Sequence, residues 1–449
     1  MENWTLRQAA AALANGDITS ERLTAAALVR IDDPQGEGAR AFVRVYHDWA
    51  RRQAQDADRR RAAGQPLSAL DGVPVSVKDL FDVAGEATTG GSRALMQAPA
   101  AQRHAAVVAR LLQGGAVVIG KTNMTEFAYS GLGINPHYGT PANPWRREER
   151  RIPGGSSSGA AVAVSDGMGF GAIGSDTGGS VRIPAAFCGL TGYKPSASRI
   201  DMTGVQPLSP SLDSVGVIAH GLADCIALDA LIAQQPLLPA AQPLAQARFA
   251  LPQTLALDEL DETVSAAFQR ALRRLAQAGA RIDALPCDEF AELAAINAAG
   301  GFTALESWQW HQTLITEQAA AYDPRVLSRI RRGAALGELD GCRLREQRLD
   351  WQRRVADSLQ GYHALLMPSV PFVAPTIAEL EADEAHYFRI NGAALRNPSI
   401  INFLDGCAVS LPIQAPGEAP VGLMVAGLAQ QDEALLGWAL SVERCLAGA

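Results

Sequence analysis

Lys78, Ser156 and Ser180 are the residues whose types and surroundings could do chemistry together. Lys78 ends the run Val73-Pro74-Val75-Ser76-Val77-Lys78. Strand alternation there sets the three valines on one face and Ser76 with Lys78 on the other. A lysine at the end of an apolar run is most often a solvated rim charge. Buried, it loses its charge readily, because desolvation lowers a lysine pKa by up to several units. A neutral amine is a competent base for activating a serine. Candidate serines sit in two glycine loops, Gly154-Gly155-Ser156-Ser157-Ser158-Gly159 and Gly174-Ser175-Asp176-Thr177-Gly178-Gly179-Ser180-Val181-Arg182. Serines among glycines are usually flexible loops. The combined length of the motif, the apolar segments framing it and the misplaced lysine set this pair apart.

The elements that must position these residues alternate in character. Residues 5–31 read as helical with a break at Gly16-Asp17, and residues 40–64, rich in alanine and arginine, also read as helix. From Leu67 short valine-rich strands, such as Ala116-Val117-Val118-Ile119, alternate with helices and glycines, which favours an α/β sheet covered by helices. Residues 236–247, proline- and alanine-rich, suit a linker between two halves. Beyond it, Val264, Phe268, Leu272 and Leu275 mark a helix face, Gly279 is placed to end that helix, and Arg281–Leu285 can be a strand. One large sheet fed by both halves is the expected arrangement.

Two glycine motifs compete for attention. Gly115-Ala-Val-Val-Ile-Gly120-Lys121-Thr122 matches a phosphate-loop pattern letter for letter, but its variable positions suit a strand, which spends its N–H groups on a sheet ladder. Nucleotide binding at Gly115–Thr122 is thus a remote alternative. Gly169-Phe-Gly171-Ala-Ile-Gly174 matches a dinucleotide fingerprint, yet the following residues are too glycine-rich for a good helix and no acid occurs near position 194. A net charge of −8 argues against nucleic acid or an anionic membrane as partner. No apolar run approaches the roughly 18–20 residues of a membrane span, and no signal-peptide pattern opens the chain, so the cytoplasm is the expected location. Six scattered cysteines read as reduced and mostly buried, and the histidines lack metal-ligand spacing.

The lysine segment Gly72–Asp79, the Gly120-Lys-Thr-Asn123-Met124 segment, the glycine/serine stretch from 153 to 195, Leu366-Met-Pro368-Ser369 and Pro420–Gly427 together resemble the amidase signature family over most of residues 5–445. The resemblance implies a large mixed β-sheet covered by helices on both faces, forming one domain over residues 1–449. Within it, residues 1–65 would be N-terminal helices, 66–235 the catalytic core, and 236–449 the part completing sheet and pocket. It further implies a Ser-cisSer-Lys triad: Ser180 as nucleophile, Ser156 taking its proton after a cis peptide, and Lys78 taking it in turn. The amides of Thr177, Gly178, Gly179 and Ser180 would form the oxyanion hole, where preorganised donors are worth about 3–4 kcal/mol each.

Tyr129, Ser130, Gly131, Leu132 and Gly133 would border the substrate. Asp176 and Arg182 are expected to brace the nucleophile loop as an ion pair rather than to react, and Cys188 to pack. Phe302, Trp308, Trp310 and His311 are either core or pocket; if pocket, apolar or aryl amides would be favoured, with carbamates and esters as side substrates. The expected activity is hydrolysis of the C–N bond of a small linear amide through an acyl-enzyme, with no cofactor and no metal. A homodimer is compatible with this reading. The alternative within the same fold is the glutaminase subunit of a tRNA-dependent amidotransferase, from whose pattern Ser130-Gly-Leu-Gly-Ile-Asn135 departs. A serine–lysine mechanism predicts that dialysis against a chelator leaves amidase activity unchanged, read as initial rate before and after treatment.

Overall fold

Val73, Val75 and Val77 are fully buried in one apolar cluster with Leu6, Val107, Leu111 and Leu228, which places helices Leu6–Asn15, Ala106–Gln113 and Leu222–Ile232 on that side of the strand. The same alternation runs through the neighbouring strands. Val118, Ile173 and Val217 join this cluster, whereas Val117, Ile119, Ala172 and Ile218 point to the opposite face and pack on Ala160–Val164. A sheet covered on both faces follows, and its inner strands, such as Pro74–Lys78 and Val117–Thr122, are buried along their length.

The computed structural model describes residues 4–233 and 235–447. Its strands, in chain order, are β1 (Phe42–Val45), β2 (Pro74–Lys78), β3 (Val117–Thr122), β4 (Ala172–Ser175), β5 (Thr191–Lys194), β6 (Val215–Ala219), β7 (Arg248–Pro252), β8 (Arg281–Leu285), β9 (Ala364–Pro368), β10 (Cys407–Pro412) and β11 (Gly422–Gly427). They form one 11-stranded sheet in the order β1-β3-β2-β4-β6-β5-β10-β11-β9-β7-β8. β2 runs parallel to β3 and β4, and β7 runs parallel to β8 and β9. The other pairings are antiparallel, so the sheet is mixed and draws strands from both halves of the chain.

The helix–strand expectation over Val264–Leu285 matches the helix Glu262–Gln277, a glycine at φ +95° at position 279, and β8. Residues 40–64 differ from the continuous helix expected. Phe42–Val45 is an edge strand paired antiparallel with β3, and it separates a single helical turn, Gly38–Ala41, from the helix His47–Ala62. Phe42, Val43 and Val45 are aromatic or β-branched, and an open ladder on β3 gives their backbone partners that a helix propensity sum does not register. The proline-rich segment 236–247 does not separate two units: it lies along the C-terminal helix Asp432–Ala447, whose Ser441 hydroxyl donates to Gln242 O at 2.6 Å, and then enters the sheet as β7. Gly115–Thr122 leads into β3, whose pairing with β1 and β2 occupies its backbone. Lys121 is buried against Asp79, Nζ to Oδ1 3.0 Å, so the phosphate-loop alternative is overturned.

Parallel β2, β3 and β4 end together at Lys78, Thr122 and Ser175. Ligand sites form beyond such carboxyl ends because the following loops splay apart there. The helix Ser158–Ser165 packs on β2, β3, β4 and β6 on the Ser76/Lys78 face and carries the Ser156 loop at its amino end. Its close seating requires Gly159, where an added Cβ would lie 2.1 Å from the Ala41 carbonyl oxygen and 2.7 Å from the Asn123 nitrogen, both backbone atoms. Gly159→Ala is expected to destabilise the fold by about 1–3 kcal/mol, as overpacking against fixed neighbours does. The check is a lower urea midpoint at an unchanged slope.

Candidate active site

Lys78 is fully buried at the end of β2. Its Nζ donates to Ser156 Oγ at 2.6 Å and to Ser175 Oγ at 2.9 Å, the latter at the end of the adjacent strand β4. No carboxylate lies within salt-bridge distance of it among the described residues. Burial therefore dominates and pushes the amine down to about 7, although the charges of Asp176 and Asp213 pull the other way. Ser156 follows a cis peptide from Gly155. Gly155 also meets Gly133 N and Thr125 Oγ1 so closely that a Cβ would clash with both.

The second loop arrives from β4. Asp176 is fully buried, and burial alone would raise its pKa. The Arg182 guanidinium overcomes this and holds the carboxyl well below the usual range. Arg182 Nη2 lies 2.8 Å from Oδ1 and Nε 3.1 Å from Oδ2. Asn402 Nδ2 and the Gly179 N–H each donate to Oδ1 at 2.9 Å, and the Val181 N–H to Oδ2 at 3.1 Å. Arg182 also reaches Asn402 Oδ1 (2.6 Å) and Pro398 O (3.0 Å). The ion pair thus braces the loop, as expected from its position. Thr177 Oγ1 donates to buried Asp213 at 2.5 Å, and Asp213 accepts the Leu208 and Ser209 amides at 3.0 Å each.

These contacts leave the amides of Thr177, Gly178 and Ser180 without a protein acceptor among the described residues, while that of Gly179 is spent on Asp176. Ser180 lines a cavity of about 390 Å³ together with Thr177 and Gly178. The two serine loops meet where the Ser157 N–H donates to Ser180 O at 3.2 Å. Ser156 Oγ and Ser180 Oγ make no hydrogen bond with each other here.

Of the residues expected to border the substrate, Tyr129 and Ser130 line this cavity. Ser130 Oγ donates to Asn391 Oδ1 at 2.9 Å and accepts from Tyr387 Oη at 2.8 Å. Gly131, Leu132 and Gly133 lie behind the wall: Leu132 is core, Gly131 O receives the Gly155 N–H at 2.8 Å, and Gly133 backs onto Gly154 O. Phe302 is core, and His311, pushed down to about 3 by burial, shares a hydrogen bond with Tyr322 (2.9 Å). Trp308 and Trp310 are absent from the cavity lining; Trp310 borders a separate depression beside Gln206.

The remaining walls carry Leu208, Leu212, Leu255, Leu293, Leu395 and Phe403. Arg329 and Arg396 also line the cavity, with the polar Asn297, Thr303 and Ser399. Sequence reasoning missed Ser175, Asp213, Asn402 and these two arginines. Only Ser175 had a local signal, its place inside the glycine/serine stretch; the others are brought in by long-range packing. Among the described residues no cluster of His, Cys, Asp or Glu could hold a metal, no helix is long and apolar enough to cross a membrane, and the cysteines are free.

Residues 22–436 match the Amidase family. The chain belongs to it. Like other amidases of this family it is a hydrolase acting on C–N bonds. It is 35% identical over 429 residues to a 2-amino-5-chloromuconic acid deaminase of Comamonas testosteroni, covering 94% of this chain and 92% of that protein. It is 45% identical over 219 residues to a subunit of the glutamyl-tRNA(Gln) amidotransferase of Anaeromyxobacter dehalogenans, spanning 49% of this chain and only 44% of that protein. A crystal structure of an amidase superposes with a TM-score of 0.87 at 30% identity over 97% of this chain and 98% of that chain. A peptide amidase bound to the competitive inhibitor chymostatin gives 0.81 at 26% identity, covering 98% and 97%.

Burial of Lys78 has a thermodynamic signature. Its pKa is lower folded than unfolded, so between about 7 and about 10.5 the unfolded chain binds more protons and stability rises with pH. The penalty is complete below the folded value and fades toward the unfolded one. Lys78→Met removes this pH dependence. Relative to wild type, its stability is expected to be greater at about pH 7 than at about pH 10, by about 3 kcal/mol between the two. Urea unfolding at the two pH values measures it.

Proposed function

We propose that this protein hydrolyses a carboxylic amide with an apolar acyl part through a serine nucleophile, Ser180, activated by Ser156 and Lys78. The observation that carries the reading is a buried lysine with no carboxylate partner among the described residues, bonded to Ser156 beneath the cavity that Ser180 lines. With its pKa near 7, Lys78 is substantially neutral at neutral pH, and its lone pair can accept the Ser156 hydroxyl proton. Ser156 then accepts the proton of Ser180 as Ser180 Oγ attacks the substrate carbonyl. Catalytic hydrogen bonds are often long in ligand-free sites and tighten around substrate, so the open gap between the two hydroxyls is compatible with this relay.

Attack places negative charge on the carbonyl oxygen. The unpartnered amides of Thr177, Gly178 and Ser180 are the donors suited to it. As the tetrahedral species collapses, the C–N bond breaks and the proton held by Lys78 returns through Ser156 to the leaving nitrogen. Water, deprotonated along the same path, attacks the acyl-Ser180 ester and releases the acid. The leucines and Phe403 of the cavity suit a hydrocarbon or aryl acyl group, with esters and carbamates as side substrates because they present the same carbonyl.

A fluorophosphonate probe is expected to label Ser180, located by peptide mass spectrometry, and to leave Ser180→Ala unlabelled. That variant is expected to lose ~10⁴-fold or more in kcat. In wild type, kcat/KM should rise with pH along a limb centred near the Lys78 value of about 7. Labelling at a different serine, or a flat profile through that range, would overturn the assignment of roles.

A further inference from the structure

The cavity beside Ser180 contains two arginines and no acid. Arg329 and Arg396 line it, whereas no Asp or Glu does among the described residues. Neither arginine has a described carboxylate within salt-bridge distance, in a chain whose fully buried guanidinium, Arg182, is held by Asp176. Among the described residues Arg396 Nη2 is buried with no hydrogen-bond partner, and the one side-chain bond of this arginine is Nε to Asn397 Oδ1 at 3.0 Å. Asp258 and Glu259 lie near enough to favour its charge but too far to pair with it. Arg329 stacks over the Tyr129 ring, 4.2 Å from its centroid, and donates through Nη1 to Tyr129 O. That leaves Nη2 and Nε of Arg329 without an acceptor among the described residues.

Guanidinium groups do not shed their charge, so burial cannot neutralise them as it does Lys78. An unpaired buried donor on a charged group is costly, and the cost disappears when an anion supplies the acceptors. Planar guanidinium forks match a carboxylate. The surrounding leucines and Phe403 favour an apolar connecting part of the ligand, beside the polar Asn297, Thr303 and Ser399 of the same lining.

We infer that the substrate of this site carries a carboxylate, held by Arg329 and Arg396, at the far end of an apolar chain from the scissile amide. This rests on the amidase reading above and narrows its substrate class. Two chemistries share the feature: a monoamide of a dicarboxylic acid, with the anion on the acyl side, and an N-acyl amino acid, with the anion on the leaving amine. A zwitterion such as glutamine is a poorer match, because its ammonium finds no carboxylate in the wall.

The test compares adipamate, N-hexanoylglycine, glutamine and the neutral diamide adipamide as substrates, and as agents protecting Ser180 from the fluorophosphonate. The expected result is a kcat/KM for adipamate or N-hexanoylglycine ~10- to 100-fold above that for adipamide, expressed mainly in KM, the size of one or two charge-assisted hydrogen bonds. Whichever of the two anions is preferred assigns the side on which the carboxylate sits. In Arg396→Gln that ratio should collapse toward one, with Arg396→Lys intermediate, because a lysine keeps the charge but not the fork. Labelling of Ser180 in each variant shows that the fold is intact. Equal or better use of adipamide, with Ser180 still labelled, would overturn the anion site and leave the amidase reading standing. Absence of labelling would count against the amidase reading instead. The anion site would then be read from a rise in Tm with adipamate that Arg396→Gln abolishes, and no rise in wild type would overturn it.

Discussion

The loop that carries Ser180 is organised around one buried carboxylate. Asp176 accepts hydrogen bonds from the Arg182 side chain, the Asn402 amide and the backbone of Gly179 and Val181, all with no solvent contact. A buried ion pair is weak evidence for stability, because desolvating both charges cancels most of their attraction. Its contribution here is geometric. By drawing the Gly179 N–H inward, Asp176 turns the chain so that the amides on either side, Gly178 and Ser180, are left without acceptors beside the cavity. By sharing Asn402 with Arg182, it ties that turn to the helix Glu384–Phe403, more than two hundred residues away in sequence.

Lys78 is the counterpart of this arrangement. Asp176 is surrounded by donors and keeps its charge; Lys78 is surrounded by hydroxyls and gives its charge up. Asp176 and Asp213 both favour the ammonium, but Asp176 is already engaged by Arg182, and Asp213 is engaged by Thr177 and two amides. Desolvation therefore wins at Lys78. Two buried charges near the same loop are thus treated oppositely, distinguished only by their immediate partners.

The cavity follows the same logic. Its leucines are ordinary apolar lining, yet two arginines share the wall without acids to balance them. In the Arg199–Asp229 and Arg325–Asp323 pairs, each half-buried guanidinium has its carboxylate. Other half-buried guanidiniums, such as Arg110 and Arg274, are held by backbone carbonyls alone; what distinguishes Arg329 and Arg396 is that they line the cavity that Ser180 also lines.

Much of this was legible in the sequence. Alternation in Val73–Lys78 placed the lysine on the face opposite the valines, and the structure divides the two faces between separate apolar clusters in that way. The valine-rich positions of Gly115–Thr122 identified a strand rather than a phosphate loop, and Asp176 with Arg182 announced a local pair because both lie on one short turn. These are short-range statements, set by pleat geometry and by the reach of side chains a few residues apart. What only the tertiary structure decided was long-range. Phe42–Val45 became a strand because β3 offered it an open edge. Gly131, Leu132 and Gly133 fell behind the cavity wall, Gly131 bonded to Asn391 and the Gly155 amide, Leu132 packed in the core and Gly133 set against Gly154. Helices from the second half of the chain contribute to the walls, bringing Arg329 and Arg396 to the cavity of Ser180, far from them in sequence. No local spacing encodes that meeting: it depends on how eleven strands order themselves in one sheet, and that order is set by the burial of both faces at once.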